Sequence, residues 1–143
     1  MVAGSRSVCI VDDDDGVRNS VRRLLEAYDF ETTGYASGAD FLRHHRRGKV
    51  GCLILDMNLP GLAGLDILMH LRGVANEDIP VIMITGQGDL LLKERLITVG
   101  ASAYLEKPFE AETLVETLEG LLSGWFGASP FFSILLICCL PSL

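Results

Sequence analysis

The sequence predicts an α/β protein in which a doubly wound, five-stranded parallel sheet lies between two layers of helices. Two observations lead to this prediction. Short apolar runs recur along the chain, and a helical pattern of about a dozen residues follows each of them. Parallel strands joined by right-handed crossovers require connections of about that length. We therefore expect five β-α units with five helices, in a three-layer α/β/α arrangement.

The strands are predicted from their apolar composition. Three runs are continuous, as expected for strands buried on both faces: SVCIV (7–11), CLILD (52–56) and VIMIT (81–85). FETTGY (30–35) and ASAYL (101–105) are weaker strand candidates.

The helices are predicted from apolar residues that recur at helical spacing. These residues are Val17, Val21, Leu24, Leu25 and Tyr28, then Leu65, Leu68, Met69 and Leu71, then Leu91, Leu92, Leu96 and Val99, and finally Leu114, Leu118, Leu121 and Leu122. The basic run RHHRRGK (43–49) is interpreted as the solvated C-terminal turn of the second helix, where cations complement the helix dipole, in preference to a nucleic-acid patch.

Composition limits the function classes. A chain of 143 residues with a 49% hydrophobic fraction fits one globular domain. The net charge of −7 argues against direct nucleic-acid binding, which needs a basic face, and suits a metal ion or a cationic partner.

The four cysteines include no CxxC pair, so neither a zinc site nor a disulfide framework is indicated. The N-terminal residues lack the apolar core of a signal peptide. A reducing cytoplasm is the expected location.

Polar residues follow the predicted strands. Asp12 and Asp13 follow the first strand, Asp56 ends the third, Thr85 ends the fourth, and the fifth leads into Lys107. The carboxyl ends of the strands in an open doubly wound sheet border one crevice, where such proteins bind their ligands. Two unit charges about 4 Å apart repel by roughly 4 kcal/mol at an effective dielectric constant near 20, so these carboxylates require a compensating cation.

Four motifs in this order resemble the receiver domains of two-component response regulators, most closely those of the nitrogen-fixation and nitrate-response type. They are IVDDD (10–14), LILDMNLPGLAGLDIL (53–68), VIMITGQGD (81–89) and YLEKPF (104–109). The resemblance covers residues 6–122 and implies a flavodoxin-like fold with strand order 2-1-3-4-5.

The resemblance also implies the roles of the acidic residues. Asp56 would be the phosphoryl acceptor. Asp12 and Asp13 would hold Mg²⁺ together with Asp56 and the backbone carbonyl of Asn58. Mg²⁺ prefers a few carboxylates plus water and phosphate oxygens, which suits this acidic cluster. Asn58 would also occupy a position that tunes dephosphorylation.

Four further roles follow from the resemblance. Thr85 and Lys107 would contact the phosphoryl group, and Lys107 would precede a cis proline. Tyr104 would act with Thr85 as an aromatic switch. Gln87 would tune dephosphorylation, and the neighbouring Gly86 leaves room for the phosphoryl group to enter.

As a receiver, the chain would take its phosphoryl group from a sensor histidine kinase or a phosphotransfer protein and would not be a turnover enzyme. Phosphorylation would change the face formed by the fourth helix, the fifth strand and the fifth helix. This face would dock partners or form a homodimer.

The sequence allows two other interpretations. DDDGV (13–17) matches a signature of haloacid-dehalogenase-type phosphohydrolases, with Asp13 as nucleophile and Asp15 as acid/base, but this interpretation leaves LDMNLPG (55–61) unexplained. A receiver-like module that serves only protein contacts is disfavoured, because every phosphorylation residue is present.

Residues 123–143 form a hydrophobic tail without the pattern of an output domain, so the chain is expected to be a stand-alone or truncated regulator. The apolar stretch 131–140 would rise about 15 Å as a helix, half of a roughly 30 Å hydrocarbon core. It is too short to span a bilayer. Membrane contact is not expected either, because no Lys or Arg flanks the stretch.

Overall fold

The computed structural model describes residues 6–86 and 90–123, without the side chains of residues 90 and 91. The elements are β1 (Ser7–Val11), α1 (Asp15–Ala27), β2 (Glu31–Tyr35), α2 (Gly38–His44), β3 (Cys52–Asp56), α3 (Gly64–Met69), a π-helical turn (His70–Val74), β4 (Val81–Thr85), α4 (Leu90–Val99), β5 (Ala103–Glu106) and α5 (Ala111–Leu122). Gln87 and residues 124–143, which make up nearly all of the predicted tail, lie outside the described residues. Within the described ranges, every helix is too short or too polar to cross a lipid bilayer.

The five strands form one parallel sheet in the order β2-β1-β3-β4-β5, which confirms the predicted topology. In the middle of the sheet, Ile10 of β1 pairs with Ile54 of β3, and Ile54 pairs with Ile82 of β4. At the carboxyl edge, Asp56 pairs with Ile84, one residue before Thr85. The last residues of β3 and β4 therefore lie side by side.

Alternate strand residues face two separate hydrophobic cores, as expected for a sheet covered on both sides. On one side, Ile10, Ile54 and Ile84 pack with Leu25 of α1 and Leu114 of α5. The core on the other side combines strand residues with side chains from α2, α3 and α4: Cys9, Val11, Leu53, Leu55, Val81, Met83 and Tyr104 with Phe41, Ile67, Leu68 and Leu96. This arrangement confirms the predicted three layers.

The strands β1, β3 and β4 have the predicted boundaries, whereas β5 begins two residues later than predicted, at Ala103. The Ala101 N–H donates to Leu96 O at 2.9 Å and so completes the end of α4, which removes this residue from the sheet. The third helix also differs from a regular pattern, because α3 ends at Met69 and continues as the π-helical turn.

The basic run at 43–49 is solvated only in part. Helix α2 ends at His44, so His45 and the residues after it follow the helix. The side chain of His45 is 6% exposed, and its Nε2 lies 2.9 and 3.0 Å from the two carboxylate oxygens of Glu77. The interpretation of the whole run as a solvated helix end is therefore wrong for His45, which a buried partner distant in sequence holds in place.

The connection between β3 and α3 passes very close to the end of β3. The Gly64 N–H donates to Met57 O at 3.2 Å, and a Cβ atom added at Gly64 would lie 2.3 Å from Asp56 O. Real Cβ atoms essentially never approach a backbone oxygen so closely. The absence of a side chain at Gly64 therefore lets α3 start directly beside Asp56.

We predict that Gly64→Ala lowers the free energy of unfolding by about 2 kcal/mol, because the added methyl group forces backbone atoms apart in a packed region. The measurement is urea denaturation of the variant and the parent chain. Gly73→Ala is the matched control, since a Cβ at Gly73 meets no described atom within 4 Å and Ala favours a helical backbone. Equal stability of Gly64→Ala and the parent chain would contradict the close approach.

Candidate functional site

Three carboxylates converge at the carboxyl edge of the sheet. Asp12 and Asp13 follow β1, and Asp56 is the last residue of β3. One carboxylate oxygen from each lies within 4.8 Å of the others. Asp12 and Asp56 are buried, whereas Asp13 is exposed. The site is therefore a strongly acidic pocket with one side open to solvent.

Backbone amides fix the two buried carboxylates. The Asp14 N–H donates to Asp12 Oδ1 at 2.9 Å, and the Asn58 N–H donates to Asp56 Oδ1 at 2.9 Å. In both cases the donor lies two residues after the acceptor, at the point where the strand turns into a loop. These two hydrogen bonds leave the second oxygen of each carboxylate for other partners.

The second oxygens face Lys107, which follows β5. Lys107 Nζ lies 3.2 Å from Asp56 Oδ2 and 3.7 Å from Asp12 Oδ2. The bond between Lys107 and Pro108 is cis, as the resemblance implied. Partial burial lowers the pKa of Lys107, but its hydrogen bond and charge interactions with Asp56 and Asp12 outweigh this effect, so its pKa is raised overall.

The charge of this pocket is not fully compensated by Lys107. Burial raises the pKa of Asp12, and the charge of Asp56 raises it further, although the Asp14 amide and Lys107 act in the opposite direction. The net shift is upward. In the metal-free protein, the folded state therefore disfavours the ionised form of Asp12.

The hydroxyl of Thr85 lies at the same edge of the sheet as the carboxylates and the Lys107 ammonium. Thr85 is 1% exposed, and its Oγ1 has no hydrogen-bond partner among the described residues. The next residue, Gly86, is exposed, and the nearest described atom to a Cβ added there is Asn58 Nδ2 at 3.8 Å. A group entering above Asp56 thus has room beside Gly86.

Tyr104 lies on β5 and is 4% exposed, with its ring in the core on the α4 side of the sheet. Lys93 of α4 lies over this ring, with its Nζ 5.3 Å from the ring centroid, and forms an ion pair with Glu106. The sequence reasoning missed Lys93 and Glu106. The opposite charges of Lys93 on α4 and Glu106 on β5 are the signal that could have suggested this pair. Their separation in the sequence matches no regular spacing of side-chain pairs within one helix or strand, so the sequence does not predict the contact.

The donor set suits a small divalent cation. Three carboxylates offer hard oxygen ligands, two of them are buried, and one ammonium group, that of Lys107, lies near the two buried carboxylates. Mg²⁺ is bound by a few carboxylates and keeps other positions for water and phosphate oxygens. The residues present therefore fit a Mg²⁺ ion.

Comparison with known proteins decides the family. Residues 8–119 match the family model described as the response regulator receiver domain. The chain belongs to this family. The receiver domain is the signalling domain of two-component response regulators. The acidic pocket that Asp12, Asp13 and Asp56 form in this chain fits the phosphorylation site of such a domain.

Curated relatives agree with this assignment. The chain is 35% identical over 118 residues to the transcriptional regulatory protein FixJ of Azorhizobium caulinodans, covering 82% of this chain and 56% of the relative. It is 35% identical over 111 residues to nodulation protein W of Bradyrhizobium diazoefficiens, covering 78% of this chain and 48% of the relative. The chain therefore spans about half the length of these relatives.

Solved structures agree as well. The response regulator StyR is 37% identical with a TM-score of 0.75, over 82% of this chain and 59% of that chain. The chemotaxis protein CheY4 of Vibrio cholerae is 28% identical with a TM-score of 0.74, over 80% of this chain and 97% of that chain. The receiver fold thus accounts for nearly all of the described residues. The family match favours the receiver interpretation over the phosphohydrolase.

We predict that Asp12→Asn stabilises the metal-free receiver at pH 7. The pKa of Asp12 is higher in the folded state than in the unfolded state, so the folded state binds the additional proton. The free energy of unfolding therefore falls as pH rises from the unfolded pKa of about 3.9 through the raised folded value. Asparagine is uncharged and does not incur this loss.

Urea denaturation in the presence of a chelator checks this prediction at pH 7 and below pH 4. The stability advantage of Asp12→Asn should be present at pH 7 and should shrink at the lower pH. Asp13→Asn, at the exposed member of the cluster, is the control and should show a smaller advantage. An advantage that does not change with pH would contradict the assigned cause.

Proposed function

We propose that this receiver domain, comprising residues 6–122, accepts a phosphoryl group on Asp56 in a Mg²⁺-dependent reaction. The observation that carries the proposal is the position of Asp56 Oδ2, which lies 3.2 Å from Lys107 Nζ at the open acidic pocket. The donor would be a phosphohistidine of a sensor histidine kinase or of a phosphotransfer protein. The Asp56 pocket would accept the phosphoryl group from either donor.

In the proposed reaction, a carboxylate oxygen of Asp56 attacks the phosphorus atom. An O–P bond forms to Asp56, and the P–N bond of the donor imidazole breaks, leaving the electron pair on the nitrogen. Such transfers depend mainly on positioning and on neutralisation of charge at the phosphoryl oxygens. The Asn58 N–H holds Oδ1 of Asp56, and the Lys107 ammonium offsets developing negative charge.

Asp12, Asp13 and Asp56, together with the backbone carbonyl of Asn58, would hold the Mg²⁺ ion. When bound, the ion would supply positive charge for the phosphoryl oxygens and would relieve the repulsion among the carboxylates. The orientation of Asp12 by the Asp14 N–H supports its assignment as a ligand.

Thr85 and Tyr104 would convert phosphorylation into a conformational change. The unpartnered Oγ1 of Thr85 can donate to a phosphoryl oxygen, and Gly86 leaves space for that group. Tyr104 pairs with Met83, two residues before Thr85, and lies under Lys93 of α4. A movement of Thr85 would therefore change the packing between β4 and Tyr104. Asn58 would tune dephosphorylation from beside Gly86, and we assign the same role to Gln87.

The face that responds would be formed by α4, β5 and α5. It would dock partners or a second copy of this chain. We infer a signalling domain with no turnover of a substrate and no direct contact with nucleic acid. We also infer a cytoplasmic location, because Cys9 and Cys52 are free and the cysteine spacing shows no disulfide framework.

We predict that incubation with a small-molecule phosphodonor and Mg²⁺ adds one phosphoryl group to the chain. Intact mass followed by peptide mapping should place the group on Asp56. Asp56→Asn should lose it, because the amide is a far weaker nucleophile than the carboxylate. Omission of Mg²⁺ should abolish labelling of the parent chain.

Asp66→Asn is the matched control for this experiment. The carboxylate of Asp66 lies in the first turn of α3, where it accepts from the Ala63 N–H, so the variant should phosphorylate like the parent chain. Label on Asp13 would instead support the phosphohydrolase. Normal labelling of Asp56→Asn would overturn the assignment of the acceptor.

We further predict that a beryllofluoride adduct of Asp56 shifts the amide resonances of Thr85 and of α4 and β5. Thr85→Ala should bind beryllofluoride but should show much smaller shifts around Tyr104, because the hydroxyl that would follow the ligand is missing. Thr85→Ser keeps that hydroxyl and is the matched control. Equal shifts around Tyr104 in both variants would rule out Thr85 as the link.

A further inference from the structure

The carbonyl group of Asp12 lies just beyond the last residue pairs that β1 makes with its two neighbouring strands. The last residue pair between β1 and β2 is Val11 with Tyr35. The Asp12 N–H still donates to Tyr35 O at 3.1 Å, but β2 ends there. Arg18 of α1 supplies the donor for the carbonyl, with Nη1 2.7 Å from Asp12 O. The Arg18 side chain on α1 thus donates to a backbone carbonyl at the end of the sheet, as a neighbouring strand would do.

The structure holds the Arg18 side chain in this position. It is 15% exposed, and its Nη2 forms an ion pair with Asp15, which is itself 80% exposed. The aliphatic part of Arg18 lies against Gly34 of β2, where an added Cβ would be 3.0 Å from Arg18 Cδ. A Cβ at position 34 would push the Arg18 side chain by a few tenths of an ångström. Helix α1, strand β2 and the loop after β1 are therefore joined through one arginine side chain.

We propose that Arg18 is a positioning residue for the metal site. Asp12 is fixed on three sides: its N–H by Tyr35 O, its carbonyl by Arg18 and its Oδ1 by the Asp14 N–H. Loss of the Arg18 hydrogen bond frees the backbone between β1 and α1, which carries both Asp12 and Asp13. This inference rests on the proposed Mg²⁺ site. In it, Arg18 aligns the two ligands Asp12 and Asp13 without binding the metal itself.

Two effects of Arg18 on Mg²⁺ affinity have opposite signs, which makes the inference testable. As a positive charge near the pocket, Arg18 repels the cation, so its removal would strengthen binding. As a positioning residue, Arg18 holds ligands in place, so its removal weakens binding. Residues that orient metal ligands typically change affinity by 10- to 100-fold when mutated. We expect the second effect to exceed the first.

The experiment is a titration of the full chain with MgCl₂, followed by the amide resonances of Asp13 and Asp56. Arg18→Ala should raise the Kd for Mg²⁺ about tenfold. Arg22→Ala is the matched control. Arg22 lies one turn later on α1 and also packs against Gly34, but its Nε lies 3.2 Å from Thr32 Oγ1 and it does not contact Asp12. Removal of this equal charge should leave the Kd unchanged or slightly lower.

Urea denaturation of both variants separates positioning from general stability. Comparable losses of stability together with a weaker Mg²⁺ affinity in Arg18→Ala alone would support the proposal. An Mg²⁺ affinity in Arg18→Ala equal to or tighter than that of the parent chain would overturn it. Failure of Asp56 to become phosphorylated, with the affinity difference intact, would count against the proposed function and leave the role of Arg18 standing.

Discussion

The burial of two carboxylates at the end of a parallel sheet is the constraint on which this structure depends. Asp12 and Asp56 are buried at the carboxyl ends of adjacent strands, within reach of one ammonium group. A buried charge is tolerated when hydrogen bonds and an opposite charge compensate its lost hydration. The Asp14 and Asn58 amides and Lys107 supply part of this compensation. The proposed Mg²⁺ ion would supply further positive charge.

The backbone around the pocket also helps to hold the two buried carboxylates in place. Gly64 allows α3 to begin against the carbonyl of Asp56, which keeps the loop after β3 short and compact. Asp14 caps α1 by accepting from the Val17 N–H, while its own N–H holds Asp12. One residue thus begins a helix and orients a site carboxylate. Backbone N–H groups in the loops after β1 and β3 are thus used to orient the two buried carboxylates.

Much of the fold could be predicted because it depends on local pattern. The runs of β1, β3 and β4 are apolar because nearly all of their residues are buried. The polar exceptions are Ser7 at the start of β1, Asp56 at the end of β3 and Thr85 at the end of β4. Asp56 and Thr85 could be placed at one edge because parallel strands share a direction. The capping role of Asp14 is a local property and was also predictable.

The remaining features depend on contacts between residues distant in sequence. His45 reads as part of a basic surface run, but Glu77 lies 32 positions later and is buried beside it. Arg72 in the π-helical turn donates to Gly100 O, 28 positions later, and so connects α3 to the end of α4. Periodicity indicates which face of a helix is apolar. It does not indicate which polar side chain reaches a particular carbonyl. The contact of Arg18 with Asp12 O could therefore not be predicted either, although the two residues are only six positions apart.

The ion pair between Lys93 and Glu106 has a consequence for signalling under different solution conditions. The pair joins α4 to β5 beside Tyr104, and both side chains retain contact with solvent. Dissolved salt weakens the attraction between charges that water can reach. In the proposed switch, this pair would resist a rearrangement of α4 more strongly in dilute solution than in concentrated salt. The ease with which α4 shifts would therefore depend on the ionic strength of its surroundings.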